Sequence, residues 1–116
     1  MRVLKSQRMM EGDETYIDVY LMLLESPIPS LDSQPTMSSK EIRECAPIAA
    51  KIAEVDCPPV GSVEFALEDN QYDVMRDRLD KWIWPNGKKG IAAFLADFDS
   101  AEKISAEDWV ERKKAH

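Results

Sequence analysis

The sequence predicts an α+β domain: an N-terminal β-hairpin plus a third strand forming a small antiparallel sheet, with three to four helices packed on one face. Three observations predict it. Ile17, Val19, Leu21 and Leu23 alternate with Tyr16, Asp18, Tyr20 and Met22, which is strand period in a run rich in Thr, Tyr, Ile and Val. Ser62 to Leu67 alternates again, with Val63, Phe65 and Leu67 facing inward. From Ser39 onward, apolar residues recur in separate runs at helical spacing.

The elements follow in order within a single domain, 1–116. Residues 1–25 read as the hairpin, with Met10-Glu-Gly-Asp-Glu14 as its turn and Gly12 free to take a positive φ. A helix from Glu14 to Glu25, capped by Asp13, is the competing reading. Residues 26–38 hold three of the seven prolines with several Ser and Thr residues, a connection rather than a helix. Ser38 or Ser39 caps a helix over 39–55 with Ile42, Cys45, Ala49, Ile52 and Ala53 on one face. Pro47 removes a hydrogen bond there and is expected to kink or divide that helix. A strand over 62–67 is followed by a helix over 69–83, capped by Asp69 or Asn70, with Tyr72, Met75, Leu79 and Trp82 as its apolar face. Helices over 90–103 and 106–114 complete the chain, the last opened by a Ser-Ala-Glu-Asp cap at 105–108.

Net charge is −7. That disfavours nucleic acid and anionic membrane surfaces as partners, because both require a basic face. No apolar run approaches the roughly 20 residues of a bilayer span, and residues 1–14 lack a signal-peptide core. The expected location is therefore the cytoplasm. Cys45 and Cys57 have no CxxC spacing and no nearby histidine, so no zinc site is expected; their number allows a disulfide, but the expected intracellular setting favours two free thiols.

Parts for catalysis are missing from the pattern. The single histidine is His116, so no histidine-based triad or base is expected. Neither a phosphate-binding loop nor a dinucleotide fingerprint is present. Glu64, Glu68, Asp69 and Asp73 form a carboxylate cluster, but acidic residues belong at a helix start. Asp73, Asp77 and Asp80 alternate with Arg76, Arg78 and Lys81, the pattern of a solvated helix face. The expectation is a non-enzyme without cofactor or metal.

The stretch "DKWIWPNGKKGIAAF" at 80–94 is the main candidate for contact. Gly87-Lys88-Lys89-Gly90 has the spacing of the GXXG loop of KH domains, which lies on a nucleic-acid backbone. Helix punctuation explains it as well, since Pro85 stops one helix and Asn86-Gly87 makes a turn. Trp82 is expected in the core. Trp84 reads equally as a core lid or as an exposed contact, and in the second reading it anchors a contact patch with Asn86, Lys88 and Lys89. Adjacent Met9 and Met10 are further candidates, as adaptable apolar contacts.

The segments "YIDVYLMLLESP", "MSSKEIRECAPIAAKIAE", "VEFALEDNQYDVMRDRLDKWIW" and "IAAFLADFDSAEKI" resemble small proteins of tailed bacteriophages. The resemblance rests on Met37, Glu41, Ile42 and Arg43, on Leu67, Glu68, Asp69 and Tyr72, and on Phe94 and Asp97, mostly caps and core. It implies phage origin and brings no catalytic residue. The function expected is protein–protein contact, with itself or with a phage or host protein, in virion assembly or as a structural or accessory component. The expected place is the bacterial host cytoplasm or the virion. Two alternatives remain: an acidic inhibitor of a host defence or nucleic-acid enzyme, and RNA binding through the Gly-Lys-Lys-Gly loop.

Overall fold

The computed structural model describes residues 1–9, 14–28, 36–58, 60–84 and 90–114. They form an α+β fold: strand β1 (Arg2–Ser6), helix α1 (Tyr16–Glu25), helix α2 (Ser39–Ala53), strand β2 (Val63–Leu67), helix α3 (Asp69–Lys81), helix α4 (Gly90–Asp99), strand β3 (Glu102–Lys103) and helix α5 (Ala106–Lys114). The sheet is antiparallel with order β2-β1-β3. Leu4 pairs with Phe65 and Lys5 with Glu64 across β1 and β2, and Val3 pairs with Glu102 across β1 and β3. The ladder to β3 is extended by the Ile104 N–H donating to the Met1 carbonyl at 2.9 Å.

The expected hairpin is corrected: its second half is helix α1. The buried set of α1 is Tyr16, Ile17, Val19, Tyr20, Leu23 and Leu24, recurring at i, i+1, i+3, i+4, i+7 and i+8. Almost every residue of that run is apolar, so period 2 and period 3.6 both fit it, and tertiary packing selects the helix. The start signal is Thr15, whose side chain accepts from the Asp18 N–H at 3.3 Å while Asp18 accepts from the Thr15 N–H at 2.9 Å. Residues 10–13 and 29–35, with the expected turn, the Asp13 cap and much of the Pro-rich connection, lie outside the described residues.

Ser38 caps α2, and Glu41 returns the bond to the Ser38 N–H at 3.3 Å. Helix α2 runs through Pro47 undivided. Pro47 lies on the exposed side, and Cys45, Ile48, Ala49 and Ile52 on the other side are buried, which holds the axis across the missing hydrogen bond. Helix α3 ends at Lys81 rather than at 83, because Trp82 takes extended geometry at the C-cap, with ψ of 136°. Its N-cap is Glu68 rather than Asp69 or Asn70, and the Glu68 N–H donates to the Gln71 side chain at 3.0 Å. The helix expected over 90–103 stops at Asp99, and Glu102–Lys103 joins the sheet instead.

The core lies between the sheet and helices α1 to α4. Leu4, Phe65 and Leu67 reach it from the strands. Aromatic rings tie the elements together: Tyr20 packs near Phe94 at 4.9 Å and Phe65 at 5.9 Å, and Tyr72 stacks on Phe98 at 4.4 Å. The Tyr72 hydroxyl donates to the Phe98 carbonyl at 2.7 Å. Ser6, fully buried, accepts from the Ile17 N–H at 3.2 Å and donates to Cys57 Sγ at 3.4 Å. No helix among the described residues is long and apolar enough to cross a membrane.

Candidate functional site

Strand alternation puts Leu4 and Phe65 on the core face of the sheet, and therefore Val3, Lys5, Glu64, Ala66 and Glu102 on the other. Helix α5 is tied to that second face. Arg112 donates to Glu64 at 3.2 Å and to Glu102 at 2.5 Å. Glu64 and Glu102 belong to the two outer strands, so one guanidinium spans the width of the sheet. Ser105 caps α5, its hydroxyl accepting from the Asp108 N–H at 3.1 Å.

Between α5 and the strands opens a cleft of about 680 Å³, lined by Lys5, Ser62, Val63, Glu64, Trp109, Arg112 and Lys113. A second depression of about 450 Å³ shares Lys5, Glu64 and Arg112 as its wall and reaches Asp97 and Ser100. The indole of Trp109 is half-buried, with the Lys113 ammonium 6.0 Å from its ring centre. Helix α5 has no fully buried residue, and Val110 on it is 49% exposed.

The residues singled out from sequence are placed differently. Trp84 is half-buried and meets Phe94 edge-on at 6.3 Å, between the core lid and the exposed contact that the sequence allows. Trp82 is half-buried too, 6.4 Å from Trp84 between ring centres, instead of sitting fully inside on the α3 face. Met9 is half-buried against the same core, its N–H donating to the Glu14 carbonyl at 2.8 Å. Met10, Asn86, Lys88 and Lys89, and with them most of the Gly-Lys-Lys-Gly loop, lie outside the described residues.

The helix face read as solvated contains one exception. Arg78 is 3% exposed and is engaged by Leu23, Ser26 and Glu41. Two members of the carboxylate cluster are taken up in ion pairs, Glu64 with Arg112 and Asp69 with Lys103 at 3.7 Å. No three His, Cys, Asp or Glu side chains converge as a metal site among the described residues.

Tyr16 and Cys45 are both raised above their ordinary values. Burial, reinforced by the Asp97 carboxylate 2.5 Å away, pushes the Tyr16 hydroxyl up to about 12. Burial raises the Cys45 thiol as well, and both cysteines are free. A nucleophile or base working at neutral pH needs the opposite shift.

The cleft escaped sequence reasoning because Lys5 and Trp109 are distant in the chain and meet only through the sheet and α5. The available signal was Trp109 and Val110 adjacent on a short, otherwise charged helix. Compared with protein-family models, with curated proteins and with solved structures, the chain matches none.

Proposed function

We propose that this chain is a non-enzymatic, phage-encoded interaction module that binds protein partners, itself or others, in virion assembly or as a structural or accessory component. Its place of action is the host cytoplasm or the virion, as the resemblance to tailed-phage proteins implies. The surface framed by α5 and the outer face of the sheet is its docking site.

One observation carries the reading: α5 offers Trp109 and Val110 while burying no side chain completely within its own domain. A nine-residue helix is below the roughly 12–15 residues at which helices persist alone in water. Exposed ion pairs of the Arg112 kind add little to stability, because water and salt screen them. Such a helix gains its stability from packing, and a partner on its apolar residues would supply it. Tryptophan and arginine together are the residue types that dominate binding energy at protein interfaces.

The test is light scattering on the purified protein at micromolar concentration, with stoichiometric co-purification from infected cells. The reading expects an oligomer or one stoichiometric partner. A strict monomer without such a partner overturns it.

A further inference from the structure

Resting on that reading, we propose that the cleft between α5 and the start of β2 takes an extended acidic segment of a partner protein, with one apolar side chain against the Trp109 indole. Charge is the first reason. In a chain of net charge −7, many described cations are held by the protein's own carboxylates: Arg112 by Glu64 and Glu102, Lys103 by Asp69, Lys81 by Asp77, Lys114 by Glu111, Arg76 by Asp99 and Arg78 by Glu41. Lys5 on the strand wall, although opposite Glu64 in the ladder, and Lys113 on the helix wall make no ion pair among the described residues; Lys40 and Arg43 make none either, but only Lys5 and Lys113 line the cleft. Both are exposed, and they flank one indole.

Backbone is the second reason. Strand β2 is an outer strand of the sheet, with β1 on one side and no strand on the other among the described residues. Val63 and Glu64 of this strand, and Ser62 just before it, line the cleft. An extended chain can hydrogen-bond to such an edge and place alternate side chains into the adjoining pocket. The volume of about 680 Å³ suits a few side chains rather than a folded element.

Glu64 in the wall separates a peptide from a nucleic acid. A polyphosphate carries a charge at every step and would set one against that carboxylate, whereas a peptide can set its acids opposite Lys5 and Lys113 alone. The lysines then give orientation and encounter rate, and Trp109 gives residence.

Fluorescence anisotropy tests this with three labelled probes: a peptide of Glu and Asp around a central Leu-Phe, the same peptide with every acid replaced by lysine, and an oligothymidylate of equal length. The acidic peptide is expected to bind saturably and to weaken with salt. Its affinity should fall at least about tenfold in the Lys5→Glu/Lys113→Glu variant and also in Trp109→Ala. Both lysines are exposed, so circular dichroism should be unchanged. Absence of saturable binding, or binding indifferent to the charge reversal, overturns the proposal. Tighter binding of the oligothymidylate overturns it in favour of a nucleic-acid surface. If the acidic peptide fails while the protein still assembles in a Trp109-dependent way, this inference falls and the interaction reading stands.

Discussion

The Arg78 guanidinium in α3 donates its Nε–H to the Leu23 carbonyl in α1 at 2.7 Å, across 55 residues of chain. Arg78 also donates to the Ser26 carbonyl at the C-cap and to Glu41 Oε2 at 3.1 Å. The last turn of α1 has no basic residue of its own. Arg78 therefore supplies from another helix both the donors for orphan carbonyls and the charge that complements the helix dipole. Glu41 serves twice, closing the cap of α2 with one oxygen and pairing Arg78 with the other.

Replacing Arg78 by Met should cost about 2–4 kcal/mol, since it strands two carbonyls and a carboxylate around a buried position. Arg78→Lys restores the charge without the fork and should recover only part of the loss. Glu41→Gln, at a partly exposed acid, should cost about 1 kcal/mol or less. Urea unfolding of the three variants checks the order. A loss for Arg78→Met no greater than for Glu41→Gln would show that the carbonyl bonds are dispensable.

Trp82 and Trp84 should behave alike. Both are half-buried and in the same aromatic group, so each alanine substitution should cost about 2–3 kcal/mol, below the 3–5 typical of a fully buried indole. Thermal unfolding of each variant measures this. A cost near zero for Trp84→Ala would return it to the exposed role that its place beside Pro85 suggests.

Alkaline pH should loosen the junction of α1 and α4. Tyr16 keeps its proton in the folded state up to about 12, against 10.0 when unfolded. The unfolded chain loses that proton first, so the contribution is complete below pH 10 and is lost as pH rises through the folded value. Burial raises the Tyr20 hydroxyl in the same direction. The melting temperature should therefore fall between pH 10 and about 12, and Tyr16→Phe should make the fall shallower. An unchanged slope in Tyr16→Phe would remove Tyr16 from this account.

The fold class was legible because β2 alternates, α2 and α3 carry a clear helical period, and Ser38 and Ser105 mark the starts of α2 and α5; the Glu68–Gln71 cap of α3 was not legible, since Asp69 and Asn70 are the commoner cap residues. Helix α1 was misread because its run is apolar on nearly every side, and the deciding Thr15–Asp18 cap is shorter by a methylene than the usual Ser/Thr-x-x-Glu. Strand β3 has two residues and no local pattern, so it exists only through its pairing with β1. Arg78 sits among exposed charges in sequence, and only the arrival of α1 makes it a buried donor. The cleft was illegible for the same reason: Lys5, Val63 and Trp109 carry no mutual spacing until the sheet and α5 bring them together.

The most direct measurement is site-specific photo-crosslinking in cells that produce the protein, with benzoylphenylalanine placed at Val110 or at Val60. Val110 borders Trp109 on α5 and is 49% exposed, whereas Val60 is 87% exposed and outside the lining of the cleft. If α5 is the docking element, position 110 yields one discrete crosslinked species, lost on adding Trp109→Ala, and position 60 yields none despite its greater exposure. Equal crosslinking at both positions, or none at 110 while the protein is assembled, would contradict a docking site at α5.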